Sequence, residues 1–398
     1  MIPLLAWTLA LLAAPAAAAP DVLPSASASL LGGQYFLGGK AASFDGRATA
    51  FLSPGLQFSE AQKLVPVYSG SYFGTQDIQE LAGGDVLTTQ RMSHNFSLAY
   101  VRADDFDKIK PRASFGLGYV RETKNEHWGA GLFDSRNLGA GLEGEHERYW
   151  GTITESYDYA LVRYPNYSSL LSQSQGILDP QTFTELSQNS GSRVLDNENH
   201  RAALGLTTYW GPSVWKAGYD FTYRRYPDQS VVTDLGSFSQ KRRYDLEQHF
   251  GLNVSRDWKP LRLGLGGSFA WLASNQNSYD ASRTRYIDRY YDYLQVSLGP
   301  SARFVLKNGG GLAFETGWTQ RWYRGRLAQD VDGVYQGSKV RQATWLTSLS
   351  ARYPIFSRNI FARLELSYHA ASSNMMYEAD YRYNYQADTY LFGLDWEL

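Results

Sequence analysis

The side chains that could carry chemistry in this sequence are charged groups spaced at every second position of apolar segments. In residues 360–369, for example, Arg363 and Glu365 flank Leu364. Side chains at alternate positions of an extended chain point to one face, so each segment gathers its charges on one side. A wall built from such faces would bind and orient polar solutes. Its candidate residues are Arg112, Glu143, Asp158, Arg201, Lys216, Asp220, Arg224, Asp245, Glu247, Arg262, Arg303, Glu315, Arg321, Arg352, Arg363 and Glu365.

Extended strands are the elements that must position these side chains. In residues 261–273, large apolar residues such as Leu263, Leu265 and Phe269 occupy odd positions, and small or charged residues occupy even ones. Strands of soluble proteins are commonly about 5–6 residues long, and many segments here are more than twice as long, which suits tilted strands that cross a membrane. A charge on the lipid face at mid-bilayer costs about 2–4 kcal/mol for Arg or Lys, so we expect the apolar face to meet lipid and the charged face to line the lumen.

The sequence therefore predicts an all-β fold, a single antiparallel transmembrane up-and-down β-barrel over residues 30–398. Sixteen segments have the alternating pattern. The first three are weak, so fourteen strands is the alternative. The 29 Tyr and 11 Trp residues fit aromatic girdles at the two membrane interfaces.

Composition also bounds the ligands. The net charge is −1, which gives no electrostatic basis for binding nucleic acid. The chain has no Cys, so it forms neither disulfides nor thiolate metal sites. We expect no metal and no cofactor.

The N-terminal segment predicts export from the cytoplasm. Residues 2–18 are apolar and end in small residues, which is typical of a secretory signal peptide over residues 1–18. An uncleaved N-terminal membrane anchor is the alternative. Residues 19–29 are rich in Pro, Ala and Ser and are expected to form a flexible periplasmic leader.

The C-terminal nine residues form a strand with one apolar face, and the chain stops inside it. An unpaired aromatic edge recruits other chains, whereas a closed barrel can end there because its last strand pairs with the first. With Gly393, Trp396 and Leu398, this ending resembles the C-terminal assembly signal of Gram-negative outer-membrane β-barrels. The resemblance implies location in the bacterial outer membrane, with its lipids, lipopolysaccharide and the barrel assembly machinery as partners.

The connections between the predicted strands alternate in length, as periplasmic turns and extracellular loops do. Short turns are expected near Gly211, Lys259, Asn308 and Ser357. The longest connection, 165–198, contains apolar residues and a predicted short helix after Asp179-Pro180. We expect it either to fold into the barrel mouth and narrow it, or to cap the outside. The other long connections are expected at 227–241, 276–288, 327–338 and 374–381.

A pore is the function that the charged face favours most. That face also carries many Gly and Ser residues, such as Gly264, Gly266 and Ser301, and sixteen strands enclose more space than side chains fill. We expect an outer-membrane pore that passes small polar solutes through a lumen of mixed charge. Opposed acidic and basic walls would create a transverse field that favours polar solutes. Alternatively, the charges form ladders across the wall and occlude the lumen.

Two further function classes stay open. A structural or partner-gated barrel of an export or secretion assembly would need a separate periplasmic partner. Outer-membrane barrels can also be enzymes, and His369 lies near Ser367, while Asp245 and His249 share a predicted face. The chain has six His, each better explained as a polar lumen residue. We therefore expect no enzymatic activity and assign no catalytic residue.

Overall fold

Long antiparallel strands make up most of the chain. A computed structural model describes residues 20–74, 78–82, 85–121, 126–167, 193–233, 238–280, 285–357, 359–378 and 382–398. The predicted signal peptide and most of the predicted 165–198 loop lie outside these residues. No helix in the described part is long and apolar enough to cross a membrane.

Twenty strands are present in the described part of the chain. They are β1 (Asp21–Leu37), β2 (Lys40–Ser59), β3 (Gln62–Phe73), β4 (Ile78–Ala82), β5 (Asp85–Thr88), β6 (Gln90–Ala103), β7 (Asp107–Arg121), β8 (Ser135–Arg148), β9 (Gly151–Arg163), β10 (Asn197–Trp210), β11 (Ser213–Val232), β12 (Phe238–Trp258), β13 (Leu261–Ser274), β14 (Ser278–Asp280), β15 (Arg285–Ile287), β16 (Tyr293–Val305), β17 (Gly311–Gln329), β18 (Tyr335–Ser357), β19 (Ile360–Ser373) and β20 (Tyr385–Glu397).

Sixteen of these strands form one closed barrel, which confirms the predicted all-β fold and strand number. Each barrel strand pairs with the next along the chain, and β20 closes the ring by pairing with β1 from Ser27↔Glu397 to Leu37↔Ala387. The two short hairpins β4–β5 and β14–β15 stand in connections between barrel strands. The C-terminal strand therefore has a partner on each side, as its aromatic edge required.

The predicted flexible leader is wrong for most of its length. Strand β1 begins at Asp21, and residues 21–29 pair with β2 from Asp21↔Gln57 onward. Small residues such as Ser25 and Ala26 alternate too weakly in hydropathy to indicate a strand. The ladder with β2 holds them extended nevertheless. Pro24 is tolerated because residues 21–26 lie beyond the end of the β20 ladder, on an edge.

The short turns near Gly211, Lys259 and Asn308 lie where the sequence predicts them, between consecutive barrel strands. Two predicted long loops are wrong, because most of 227–241 and 327–338 is strand. The ladder slips in register and then resumes, at Ser230↔Arg242 in one hairpin and Leu327↔Lys339 in the other. Bulges restore pairing after an interruption such as Pro227, so a proline there does not end the strand. The longer connections mark the end of the barrel that we take as extracellular.

Large apolar side chains cover the convex face of the barrel. Phe392, Leu394 and Trp396 on β20 are 62%, 47% and 40% exposed to the surroundings, and Leu391, which precedes Phe392, is buried on the other face. A surface this apolar and this continuous is suited to lipid. The predicted alternation of β20 is confirmed.

Two bands of aromatic rings border this apolar surface. In the upper band, the His200 ring lies 5.0 Å from that of Tyr159 and 6.0 Å from that of Tyr223. In the lower band, Trp210 and Trp215 lie 6.0 Å apart. Eight residues separate Tyr223 from Trp215, about 26 Å along the strand and about 20 Å along the axis of a strand tilted by about 40°. This height approaches that of the apolar band of outer-membrane barrels, which is about 25 Å.

Candidate functional site

The charged face of the barrel wall is its concave face. A guanidinium nitrogen of Arg47 on β2 is hydrogen-bonded to the carboxylate of Glu365 on β19. Two strands, β1 and β20, lie between these residues in the sheet. Side chains meet across two intervening strands only when they point toward the inside of a closed barrel. Residues that are paired across neighbouring strands point to the same side of the sheet. Followed around the ring, these pairs place all sixteen predicted residues on the concave face.

Several of these residues form an ion-pair ladder on β7, β8 and β9. Arg112 binds Asp158 through two parallel hydrogen bonds, Nε to Oδ1 at 2.8 Å and Nη2 to Oδ2 at 2.6 Å. Arg112 also donates to Glu143 at 2.9 Å, and Lys110 donates to the same carboxylate at 2.9 Å. Bidentate guanidinium–carboxylate pairs have a fixed geometry, so this part of the wall is preorganised.

Other ion pairs repeat this arrangement around the lumen. All but one join residues on the same or neighbouring strands, and Arg352–Glu397 reaches from β18 across β19 to β20. They are Arg201–Asp220, Arg224–Glu247, Arg243–Asp245, Arg262–Asp257, Arg352–Glu397, Arg363–Glu365 and Arg363–Asp395. Opposite charges therefore neutralise each other locally. The expected opposed acidic and basic walls are wrong, and the ladders of the alternative interpretation are present.

The remaining predicted residues have no ion pair among the described residues: Lys216, Arg303 and Glu315. Arg321 also lacks one, and it donates two hydrogen bonds to the side-chain oxygen of Gln295, at 2.7 and 3.0 Å. Lys216 and Glu315 are exposed. These charges are the ones that a solute in the lumen would meet unshielded.

Small side chains leave open space along the inside of β12 to β18. A recess of about 410 Å³ is bordered there by residues that include Gly264, Gly266, Gly299 and Ser301. On the same face, Leu346 is 53% exposed although it points to the interior. A leucine inside a barrel stays exposed only where nothing packs against it. The ladders therefore line the wall and leave this level of the lumen unfilled by the described residues.

One of the two histidines considered for catalysis contacts a tyrosine, and the acidic residue considered with the other is paired with an arginine. His369 Nδ1 lies 3.4 Å from the hydroxyl of Tyr385, and the two rings are in edge contact. Asp245 is bound to Arg243 at 2.9 Å, so its carboxylate is already paired with a cation. Among the described residues, no group of three His, Asp or Glu side chains is placed to hold a metal ion.

The sequence missed several residues of the concave face. Arg47 lies on β2, where the alternation is weak, and its role depends on the closure of the barrel. Tyr226, Arg243 and Arg326 lie close to the slips in strand register, where the simple alternation fails. The repeated tyrosines in Tyr290–Tyr293 were a usable signal, because aromatic clusters are unusual in a loop that only connects strands.

The predicted assembly-signal residues lie at the end of the closing strand. Trp396 and Leu398 point outward, and Gly393 points inward at the seam with β1. A Cβ atom at Gly393 would overlap the carbonyl oxygen of Leu30. Gly393 therefore has a steric function in closing the barrel that does not depend on recognition by other proteins.

Comparison with known proteins agrees with this architecture. No family model matches the sequence, and no curated protein matches it. Among solved structures, the OmpT outer-membrane protein of Vibrio cholerae in its trimer form is 11% identical with a TM-score of 0.50, over 95% of this chain and 100% of that one. OccD3 of Pseudomonas aeruginosa is 9% identical with a TM-score of 0.46, over 96% of this chain and 94% of that one. An anion-selective porin of Comamonas acidovorans is 9% identical with a TM-score of 0.46, over 95% of this chain and 99% of that one. The fold is that of the outer-membrane β-barrels.

Proposed function

We propose that this chain is a pore of the bacterial outer membrane that passes small polar solutes through a lumen of mixed charge. The observation that carries the proposal is the exposure of interior side chains such as Leu346, Lys216 and Glu315 inside a closed ring of sixteen strands. With strands about 4.8 Å apart and tilted by about 40°, such a ring has a circumference of about 100 Å and a backbone radius of about 16 Å.

The arrangement of the charges indicates which solutes pass. Paired ladders present hydrogen-bond donors and acceptors without a strong electrostatic field of one sign. We therefore expect uncharged polar solutes, small cations and small anions to be admitted. Apolar solutes gain nothing from this wall. Lys216, Arg303 and Glu315 add isolated charges that tune selectivity.

The proposed location also assigns partners to the outer face. The apolar surface between the aromatic bands would contact lipids, and the upper band would lie next to the headgroups of lipopolysaccharide. Strand β20, with Gly393, Trp396 and Leu398, is the segment that we propose the barrel assembly machinery binds.

Planar-bilayer conductance of the refolded protein tests the pore, and a matched pair of variants locates it. Gly266 points into the lumen, and Gly267 points to lipid. A Cβ at Gly266 meets the movable amide end of Asn253 at 2.6 Å, and at Gly267 it has no neighbour closer than 3.8 Å. We expect Gly266→Trp to lower the single-channel conductance and Gly267→Trp to leave it unchanged.

Two results would contradict the proposal. If both variants conduct alike, the current does not flow along this face. If the folded wild-type protein shows no channels, the barrel is closed by itself, and the alternative of a partner-gated barrel in an export or secretion assembly gains support. The predicted 165–198 loop enters the same test, because deleting residues 170–190 changes conductance and solute size limit only if the loop narrows the mouth.

A further inference from the structure

A second recess lies at the extracellular end of the barrel, above the upper aromatic band. It has a volume of about 310 Å³, which is at the small end of the range for ligand pockets. Ten residues line it, and five of them are tyrosines and three are arginines. They come from β11, β12, β13, β16, β17 and the connection that ends at Asp292. This composition differs from that of the lumen wall nearer the periplasmic end, where Gly and Ser residues border the first recess.

The tyrosine rings hold the arginines in place. The Arg326 guanidinium lies over three rings, 5.1 Å from the centroid of Tyr290, 5.5 Å from that of Tyr323 and 5.3 Å from that of Tyr383. The Arg243 guanidinium lies 4.1 Å from the centroid of Tyr226. Cation–π contacts of this kind position a guanidinium without neutralising its charge.

The hydrogen bonds of these arginines leave one guanidinium available to bind a ligand. Arg243 is bound to Asp245 at 2.9 Å and to Gln229 at 3.2 Å, and Arg224 lies 3.9 Å from Glu247. Arg326 has no carboxylate partner among the described residues and donates only to the hydroxyl of Tyr383. Its Nε is fully buried without an acceptor in the described part of the chain.

The charges around the recess indicate a ligand with a single negative charge. Three arginines face it, and the carboxylates of Asp245 and Glu247 offset two of them. An acceptor that satisfied Arg326 would remove the cost of an unpaired buried donor. A carboxylate fits a guanidinium well, because its two oxygens match the planar fork.

The walls indicate the rest of the ligand. Phenol rings stack on flat faces that expose C–H groups, and their hydroxyls exchange hydrogen bonds with hydroxyl groups. The Tyr290 and Tyr291 rings are perpendicular to each other, with centroids 5.1 Å apart, and so present one ring face and one edge. A ring that exposes C–H groups on its faces and carries hydroxyl groups together with one carboxylate would match the tyrosine rings, their hydroxyls and Arg326.

We infer that this recess binds a carboxylated sugar, a hexuronate or a terminal hexuronate residue, with the carboxylate on Arg326 and the sugar ring against Tyr290. The recess has room for one or two sugar rings. Passage of the bound sugar rests on the proposed pore, but binding itself does not.

Isothermal titration of the refolded full-length protein with D-galacturonate tests the inference, and D-galactose is the matched neutral ligand. We expect galacturonate to bind and galactose to bind at least tenfold more weakly, which is about the value of a hydrogen bond to a charged group. Arg326→Gln should weaken galacturonate binding by about tenfold or more. Tyr290→Ala should weaken both sugars, and because Tyr290 lies outside the barrel strands, this variant leaves the strand ladder intact.

Arg256→Gln is the matched control, because it removes an arginine that lies 4.6 Å from the ring centroid of Trp258 near the periplasmic end of β12, on the outward face, and should leave binding unchanged. Equal affinity for the two sugars, no heat of binding for galacturonate, or an equal loss in Arg256→Gln would each overturn the inference. Bilayer recordings separate the two proposals. Channels without galacturonate binding refute the sugar site alone, and binding without channels refutes the pore alone.

Discussion

The seam between the first and last strands gives a sharp test of how this barrel closes. At Gly393 a Cβ atom would lie 2.8 Å from both the carbonyl carbon of Leu30 and the Cα of Leu31, and would overlap the Leu30 oxygen. At Gly33, on the other side of the seam, a Cβ would lie 2.8 Å from the carbonyl carbon of Tyr390 and overlap its oxygen. These neighbours are backbone atoms, so they cannot rotate away, and Gly393→Ala and Gly33→Ala must push the strands apart.

The expected loss combines three effects. Overpacking costs about 1–3 kcal/mol, and one broken ladder hydrogen bond costs about 1 kcal/mol. The alanine returns about 0.4–1 kcal/mol by reducing the conformational entropy of the unfolded chain. We expect each seam variant to lower the free energy of unfolding by about 1–3 kcal/mol. Gly317→Ala is the control, because its Cβ meets no heavy atom closer than 4.0 Å, so only the entropic gain applies.

The assay is urea unfolding followed by tryptophan fluorescence, on protein refolded into detergent micelles without any assembly machinery. If the C-terminal signal acts only through recognition, Gly393→Ala will be as stable as Gly317→Ala in this assay. That result would refute the steric argument. Gly33 strengthens the test because it lies outside the C-terminal signal, yet it should show the same loss as Gly393.

Three further predictions concern the wall, the lipid face and an extracellular connection. Arg112→Ala leaves the Asp158 carboxylate without its ion pair, whereas Glu143 keeps Lys110. The reversal potential in a salt gradient should therefore shift toward cation selectivity, while the partly exposed pairs should contribute less than about 2 kcal/mol to stability. An unchanged potential would show that ions do not pass this ladder. Leu349→Arg places a charge on the lipid face and should lower the free energy of unfolding in urea by about 2–4 kcal/mol. Ser348→Arg, on the lumen face, should fold and reduce conductance. A larger loss of stability in Ser348→Arg than in Leu349→Arg would show that the two faces are assigned the wrong way round. Burial raises the pKa of Asp292, whose carboxylate accepts the Ser274 N–H at 2.8 Å. The stabilisation by its protonated form is present at low pH and is lost as the pH rises through the raised pKa. Asp292→Asn keeps an oxygen acceptor without the charge, so hydrogen-exchange protection of the Ser274 amide should fall between acidic and neutral pH in the wild type but not in the variant.

The strand pattern was readable from the sequence because each barrel strand is solvated differently on its two faces. One face is apolar and suited to lipid, and the other is polar, so residues such as Leu364 and Glu365 alternate in hydropathy with a period of two. Where that contrast fades, the prediction failed. The small residues of 21–29 have little contrast between faces, and only the ladder with β2 makes them strand.

The candidate site was half predictable for a related reason. Alternation tells which face a charge lies on, and all sixteen predicted residues do share the concave face. It does not tell which charges are close in space, since that depends on the register between strands. The pairing of Arg47 with Glu365, and the gathering of Tyr226, Arg243 and Arg326 at one recess, follow from closure and from register slips.

The sequence by itself determined the fold class and the face of the sixteen predicted charged residues, and it favoured sixteen strands over fourteen, because these depend on local periodicity and on the cost of placing charge in lipid. Only the tertiary structure decided that the lumen charges form paired ladders and that Gly33 and Gly393 meet backbone across the seam. It also decided that tyrosines and arginines from five segments line one recess. Such contacts join residues far apart in the chain, and their distances are fixed by closing the ring, which no local pattern encodes.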